Sequence, residues 1–247
     1  MVIRGVVLGL ALFVWANTVQ ADARWWAQLE MGGAVAARND VRIPGDQGTR
    51  FSLSDDLQSR LAPALRTRLG WRPGARHELI ALAAPLRIRS SGTLEQDTRF
   101  ADTVFPAGTE VDAFYRFDSY RLTYRFRLLE TNHWLLALGA TGKVRSANIR
   151  LRGDGFEDDN PDLGVVPLIH WLAEWNATPL LGLRVEGDGL AAPQGRALDN
   201  LTAFTFRQSP SWELYAGWRV LEGGSDIDEV FTFALVHYGV VGGSFFW

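Results

Sequence analysis

Cysteine is absent from this chain, which excludes disulfide bonds, thiolate metal sites and a cysteine nucleophile. Beyond the first twenty-odd residues, no run of about 18 apolar residues occurs that could form a membrane-spanning helix. The formal net charge of -3 is too small to indicate a nucleic-acid partner. Glycine-rich phosphate loops, zinc-ligand patterns and Gly-x-Ser-x-Gly motifs are also missing. We therefore expect no cofactor, no metal ion and no nucleic acid, and a chain that could cross a membrane only as strands.

The beginning of the chain has the features of a secretory signal peptide. Arg4 supplies a positive charge and residues 6–15 form a short apolar segment. Residues suited to a cleavage region follow at Ala16, Val19, Ala21 and Ala23. We expect cleavage near Ala21 or Ala23, with Ala16 as the alternative, so that residues 1–23 are removed. The remaining chain, residues 24–247, is long enough for a single domain.

The mature chain repeats one pattern, in which a segment of alternating apolar and polar residues is followed by a turn. In residues 61–72, for example, Leu65 and Leu69 share one face of a strand, and Arg66 and Arg68 share the other. The same separation predicts about ten strands, at residues 24–36, 60–72, 77–89, 112–128, 134–150, 163–176, 180–192, 197–208, 212–222 and 228–247. An eight-stranded arrangement is the alternative if the weaker segments 24–36 and 197–208 are not strands.

Large aromatic residues recur at the ends of these segments, always on the apolar face. They are Trp25, Trp71, Trp134, Trp175, Trp212 and Trp247. A soluble sheet rarely needs such residues at its strand ends, whereas a membrane interface favours indole rings because the ring is apolar and its N–H needs a polar partner. We therefore interpret these residues as an aromatic girdle at one membrane interface.

The last strand ends on aromatic residues, and counting back in twos from Trp247 gives Phe245, Gly243, Val241 and Gly239. This pattern resembles the C-terminal signal of bacterial outer-membrane β-barrel proteins, in which Phe245 and Trp247 would be read by the barrel-assembly machinery. The resemblance implies an all-β fold, a transmembrane antiparallel up-and-down β-barrel. It also implies a location in the outer membrane of a Gram-negative bacterium, reached through the periplasm. Outer-membrane lipid and lipopolysaccharide are then the expected partners of a monomer.

The connections between segments differ in length. Short turns are expected at residues 73–74, 130–132, 176–179 and 208–211, and longer connections at 37–59, 90–111 and 151–162, with shorter ones at 193–196 and 223–228. Short turns on one side and longer loops on the other match the periplasmic and extracellular ends of such a barrel, and an even strand number puts both chain ends in the periplasm. Because several segments exceed the roughly 9–11 residues needed to cross, we expect the sheet to project beyond the membrane on the extracellular side.

The polar face of the strands points into the barrel on this interpretation. It carries Arg66, Arg68, Arg121, Arg125, Lys143, Arg184, Arg207 and Arg219, together with Glu30, Glu78, His170, Glu174, Glu186, Asp188 and Glu213. Such groups are costly in a medium of low dielectric constant unless they are paired. The favoured hypothesis is a salt-bridged interior that plugs the barrel, and the alternative is a narrow basic path that favours anions.

Candidates for catalysis are few. His170 and Glu174 share a strand face but lie about 13 Å apart along it, too far for direct contact. His237 falls on the lipid-facing side of the last strand near its outer interface. Acidic residues cluster in two predicted loops, at Asp154, Glu157, Asp158, Asp159 and Asp162 and at Glu222, Asp226, Asp228 and Glu229. Their spacing does not fit a calcium-binding EF-hand loop. The sequence therefore favours a non-enzymatic barrel, either a narrow or plugged pore or a structural or surface-interaction protein. The alternative is an outer-membrane hydrolase acting on lipid or peptide at the extracellular rim.

Overall fold

The computed structural model describes residues 23–247. The predicted signal peptide, residues 1–23, therefore lies outside the described residues except for Ala23. Within the described chain, no helix is long and apolar enough to cross a membrane. The regular elements of this part are the strands β1 (Trp25–Arg42), β2 (Phe51–Ser52), β3 (Gln58–Ser59), β4 (Ala62–Trp71), β5 (His77–Ala84), β6 (Arg87–Thr93), β7 (Thr98–Phe100), β8 (Thr103–Phe105), β9 (Glu110–Glu130), β10 (Trp134–Gly153), β11 (Phe156–Asn176), β12 (Leu181–Ala192), β13 (Gly195–Ser209), β14 (Trp212–Asp226) and β15 (Phe231–Phe246).

These strands close into one antiparallel barrel. Neighbours follow the chain order from β9 to β15, β15 then pairs with β1, β1 with β4, β4 with β5, and β5 with β9. β5 and β6 occupy a single position, because both pair with β9 on either side of Pro85. The predicted ten-stranded all-β barrel is therefore confirmed. The eight-stranded alternative is wrong, because segments 24–36 and 197–208 lie in β1 and β13.

The two ends of the barrel differ in their connections. One end, which we call the near rim, carries Trp25, Trp247 and the short turns after β4, β9, β11 and β13. There the N–H of Trp25 donates to the carbonyl of Trp247 at 3.0 Å, and the N–H of Trp247 donates back at 2.9 Å. The opposite end, which we call the far end, carries the other connections. The four predicted short turns all lie at the near rim, and the predicted longer connections all lie at the far end.

One predicted loop is instead part of the sheet. Residues 151–162 were expected to form a long connection, but β10 and β11 stay paired as far as Gly153 and Phe156. The turn between them is Asp154-Gly155, and both residues have a positive φ, 48° and 85°. Two consecutive residues in this left-handed region are typical of a tight hairpin turn. The expectation failed because a hairpin that projects into water has polar residues on both faces and loses the alternation.

The other two long connections also contain structure that the sequence did not predict. Residues 37–59 include the end of β1 and the short strands β2 and β3, and residues 90–111 include the end of β6 and the β7–β8 hairpin. The two connections bond to each other, since the N–H of Thr49 donates to Arg99 and the N–H of Ala101 donates to Ile43, both at 2.9 Å. Together they fold over the far end.

Apolar side chains fill the far half of the interior, a cluster that we call the far-end core. Its members from the two connections are Phe51, Leu53, Leu57, Leu94, Phe100 and Phe105, and its members from the strands include Val41, Ile88, Val111, Tyr115, Ile149 and Leu151. Phe100 and Phe105 have no exposed surface. The rings of Phe51 and Phe100 meet edge to face at 6.1 Å. The near half of the interior, by contrast, is polar.

A glycine in β15 makes room for a tyrosine inside the near half. The Tyr215 ring lies over Gly242, where a methyl group would meet a ring carbon at 2.2 Å. We predict that Gly242→Ala lowers the free energy of unfolding by about 1–3 kcal/mol because it forces this ring to move. The measurement is urea unfolding in lipid vesicles, followed by tryptophan fluorescence. Gly239→Ala is the control, since a methyl there meets nothing within 4 Å, and equal loss of stability in both variants would contradict the prediction.

Candidate functional site: a charged network inside the barrel

The near half of the interior contains a network of ion pairs that links strands around the whole barrel. The sequence-predicted residues within it are Arg66, Arg68, Arg121, Arg125, His170, Glu174, Arg184, Glu186, Asp188, Glu213 and Arg219, all with side chains no more than about a tenth exposed. Each of these side chains points into the barrel from a strand whose opposite face is apolar, because successive side chains of a strand alternate between its two faces. The network has three levels between the barrel centre and the near rim.

Asp199 of β13 holds the central level together. Its carboxylate accepts hydrogen bonds from Arg66 and Arg121 at 2.5 Å and from Arg219 at 2.6 Å. Arg219 also donates to Glu30 at 2.9 Å, and the Tyr215 hydroxyl donates to the same carboxylate. One carboxylate therefore balances guanidinium groups from three separate strands. The sequence analysis missed Asp199, although it shares the strand face of Arg207, which that analysis placed inside.

Arg125 connects the middle level. It donates to Glu186, to Glu78 at 3.1 Å and to the Nε2 atom of His170 at 3.0 Å. Arg68 donates to both carboxylate oxygens of Glu186, which makes a bidentate pair. Glu78, fully buried, also accepts from the indole of Trp26 and from Arg72, groups absent from the predicted network.

The third level lies next to the near rim. Arg184 donates to Glu174 at 2.5 Å and to Glu213 at 2.6 Å. Arg207 donates to Glu213 at 3.0 Å. These contacts join β11, β12, β13 and β14, so that the guanidinium groups of this level are neutralised by carboxylates from neighbouring strands.

Lys143 differs from the other predicted cations. Its ammonium group lies 4.6 Å from the centre of the Phe117 ring. Within residues 23–247, no carboxylate forms an ion pair with it. The side chain is buried, and the ring face is a favourable contact for its ammonium group.

His170 is held inside the network by hydrogen bonds to both of its ring nitrogens. Its Nδ1 atom lies 2.9 Å from Asp188, while Nε2 faces the Nε–H of Arg125. Because an arginine only donates, Nε2 must accept, and the ring proton therefore lies on Nδ1 and is donated to Asp188. Thr141 donates to the same carboxylate at 2.6 Å. Both ring nitrogens are occupied and the residue is buried, so this histidine has no free atom with which to act as a base.

The structure separates the two residues that the sequence analysis considered together as catalytic candidates. Glu174 bonds to Arg184, whereas His170 bonds to Asp188 and Arg125. His237 lies on the outer wall, where its ring stacks on Trp218 at 5.2 Å. Among residues 23–247, His170 is the histidine that contacts carboxylates. The described chain thus brings no histidine and acid together at the far end.

A polar cavity of about 670 Å³ lies between the network and the near-rim turns. Its wall includes residues of the turns after β9 and β11, and its inner end is formed by Arg68, Arg125 and Glu186. Beyond these residues the Asp199 level and then the far-end core occupy the interior. The cavity is therefore a vestibule with a closed inner end.

The outer wall of the barrel is apolar over most of its near half. The exposed side chains there include Leu29, Met31, Leu65, Leu122, Leu138, Ile169, Phe204, Leu214 and Val241. The predicted girdle residues lie at the near rim with their rings exposed, Trp25 beside Trp71 at 5.9 Å and Trp134 beside Trp175 at 6.4 Å. Trp212 contacts Phe245, which stacks on Trp247. On β15 this apolar band continues past the Trp218–His237 stack as far as Leu235.

Several acidic residues of the far end are paired locally. Asp162 accepts from Arg145, Asp159 accepts from Asn148 at 2.9 Å, and Glu222 accepts from Arg196 at 2.7 Å. In the part of the chain that the structure describes, no group of three or more histidines and acids is placed to hold a metal ion. Most of the first acidic set lies in the strands of the β10–β11 hairpin rather than in a loop.

Comparison with known proteins supports the fold and gives no family. No protein-family model matches the chain, and no curated protein matches its sequence. The outer-membrane protease OmpT from Escherichia coli is similar in structure, with a TM-score of 0.55 at 10% identity, covering 94% of this chain and 99% of that chain. An outer-membrane channel from Pseudomonas putida F1 has a TM-score of 0.47 at 8% identity, covering 91% of this chain and 96% of that chain. Neisserial surface protein A has a TM-score of 0.38 at 12% identity, covering 90% of this chain and 97% of that chain.

These observations define the class of fold. A closed ten-stranded antiparallel barrel with an apolar outer band and a charged interior is the fold of outer-membrane β-barrel proteins. Structural likeness at this level of identity shows the fold alone, because one fold supports many activities.

Proposed function

We propose that the protein is an integral outer-membrane barrel with a closed interior and a structural or surface-interaction role. The supporting observation is the filling of the interior beyond the vestibule, first by the ion pairs of the Arg125 and Asp199 levels and then by the far-end core. The exposed apolar band and its aromatic edge support insertion in a bilayer, because contiguous apolar surface of this extent is unfavourable in water. The near rim then faces the periplasm, and the far end faces the cell exterior.

The biogenesis of the protein follows from the same proposal. The chain is exported with cleavage near Ala21 or Ala23 and is recognised through Phe245 and Trp247 by the barrel-assembly machinery of a Gram-negative cell. Both ring systems are exposed on the outer wall, whereas Phe246 between them is buried. The barrel acts as a monomer among outer-membrane lipids.

The experiment that tests the closed interior is single-channel recording in a planar bilayer. We predict that the refolded mature protein gives no current steps at about 100 mV, because buried ion pairs and apolar side chains leave no water path. Insertion is checked in parallel by resistance to protease and by the faster gel mobility of the unheated barrel.

Discrete steps with a preference for anions would contradict this proposal and support the basic path. The variant Arg125→Ala then locates that path, since Arg125 lies at the inner end of the vestibule. Arg150→Ala is the matched control, because Arg150 is exposed on the projecting hairpin and pairs there with Glu157 and Asp159. A change of step size in the first variant alone would show conduction through the interior.

A further inference from the structure

Four arginines gather on the outer wall just beyond the apolar band, a surface that we call the arginine face. Two phenylalanines of β15 form its floor. The guanidinium groups of Arg38 and Arg196 lie 4.5 and 4.8 Å from the centre of the Phe233 ring. Those of Arg42 and Arg50 lie 5.4 and 4.8 Å from the Phe231 ring. Cations over ring faces are held in place without losing their charge.

The arginine face has more cations than anions. Arg38 and Arg50 share Asp40, at 2.7 and 2.8 Å, and Arg196 pairs with Glu222 at 2.6 Å. Arg42 has no carboxylate partner in an ion pair within residues 23–247. Although partial burial raises it, the pKa of Asp40 lies below its ordinary value because Arg50 and Arg38 donate hydrogen bonds to the carboxylate. Asp40 therefore stays ionised at neutral pH, and the ion pairs set two carboxylates, Asp40 and Glu222, against four arginines.

Three of the four arginine side chains are largely accessible. The side chains of Arg38, Arg50 and Arg196 are 43%, 52% and 59% exposed. A guanidinium has five N–H donors, and the acids here occupy only some of them. At an exposed guanidinium, a fork of two N–H groups can bind two oxygens of one anion.

The height of the arginine face suits a lipid headgroup. Leu235 is the last aliphatic residue on the outward face of β15, and Phe233 and Phe231 lie two and four residues beyond it on the same face. A tilted barrel strand rises about 2.5 Å per residue along the membrane normal, so these rings lie about 5 and 10 Å beyond Leu235. Long arginine side chains can also bend back toward the bilayer surface.

Acidic residues restrict the direction from which an anion can approach. Asp226 pairs in register with Phe231, and Asp228 and Glu229 lie in the turn that follows, where the N–H of Asp46 donates to the carbonyl of Asp228. This acidic tip repels anions that arrive from the external solution. An anion anchored in the outer leaflet approaches from the membrane side and meets the arginines first.

We propose that the arginine face binds the phosphorylated sugar headgroup of an outer-leaflet glycolipid. Phosphate oxygens match the guanidinium forks, and the position on the outer wall allows the acyl chains to remain against the apolar band. The inference rests on the proposed location in the outer membrane. A free phosphate, or a protein partner with an acidic surface, would use the same donors, and the test separates these from the lipid.

The test measures thermal unfolding of the folded mature protein in phosphatidylcholine vesicles. The probes are bisphosphorylated lipid A, the same lipid after removal of its phosphates, and inorganic pyrophosphate. We expect a higher unfolding temperature, and saturable binding, with bisphosphorylated lipid A only. In the double variant Arg38→Ala with Arg42→Ala, we expect the affinity to fall by about tenfold or more, since charge-assisted hydrogen bonds to phosphate are lost.

The double variant Arg150→Ala with Arg152→Ala is the matched control. It removes the same charge at the same end of the barrel, from side chains that pair with Glu157 and Asp159 away from the arginine face. This control should bind lipid A as the unaltered protein does. The double variant Arg38→Lys with Arg42→Lys keeps the charge and loses the fork, so we expect an intermediate affinity.

Several outcomes would overturn the proposal. They are equal stabilisation by the dephosphorylated lipid, equal stabilisation by pyrophosphate, and equal loss of affinity in the two alanine double variants. Current steps from the barrel would refute the proposed closed interior without affecting lipid binding. A folded, silent barrel whose stability is indifferent to lipid A would refute the lipid site alone.

Discussion

Asp199→Ala should lower the free energy of unfolding by about 3–5 kcal/mol, which is the usual cost of leaving buried charges without their partner. Asp199 is 2% exposed and accepts from Arg66, Arg121 and Arg219. Its removal leaves these guanidinium groups close together without the carboxylate that they share. The measurement is urea unfolding in lipid vesicles, with gel mobility of the unheated sample as a check for the closed barrel.

The control for this prediction is Asp162→Ala. Asp162 also pairs with an arginine, Arg145, but both side chains are partly exposed at the far end. Exposed pairs contribute at most about 1 kcal/mol, because water screens them and ordering two side chains costs entropy. If both substitutions lowered stability by the same small amount, the Asp199 level would not be the stabilising centre of the network.

Phe100→Ala should open the far end, with a local loss of about 3–5 kcal/mol in the far-end core. Phe100 is fully buried and packs against Phe51. Because it belongs to the β7–β8 hairpin and not to a barrel strand, the cavity weakens the docking of residues 94–109 more than the closure of the barrel. We expect faster protease cleavage within these residues, while the unheated sample keeps the gel mobility of the barrel.

Val104→Ala is the control, since Val104 is in the same hairpin and half exposed. It should be cleaved at the rate of the unaltered protein. Slow cleavage of both variants would show that the hairpin is held by its main-chain hydrogen bonds and not by the far-end core. A barrel that loses its gel mobility in Phe100→Ala would show that the core also holds the strands together.

The barrel strands were predictable because period-two alternation is a local property of the sequence. The partners within the interior were not, because they depend on closure and register. Arg66 and Asp199, for example, are 133 residues apart in the chain. The odd or even position of a residue decides which face of its strand it occupies. The register of all the paired strands decides which residues meet across the interior, and here it brings Arg66 of β4 to Asp199 of β13.

The far end was less predictable for a different reason. Where strands leave the membrane, the outward face becomes polar and the alternation weakens, so residues 151–162 of the β10–β11 hairpin were interpreted as a loop. A signal was present for the far-end core, since Leu53, Leu57, Phe100 and Phe105 are apolar residues in segments expected to be solvated. Large apolar residues in a polar connection indicate that the connection packs against a hydrophobic core.

The interior of the barrel changes from charged to apolar, and the exterior changes in the opposite direction, at a similar height. A vertical shift of the protein in the membrane is therefore penalised in both directions. Sinking would carry the arginines of the outer wall into hydrocarbon, and rising would expose the leucines of the band to water. The barrel thus sets its own depth of immersion, with no need of a separate anchor, and any membrane of unusual thickness must deform around it.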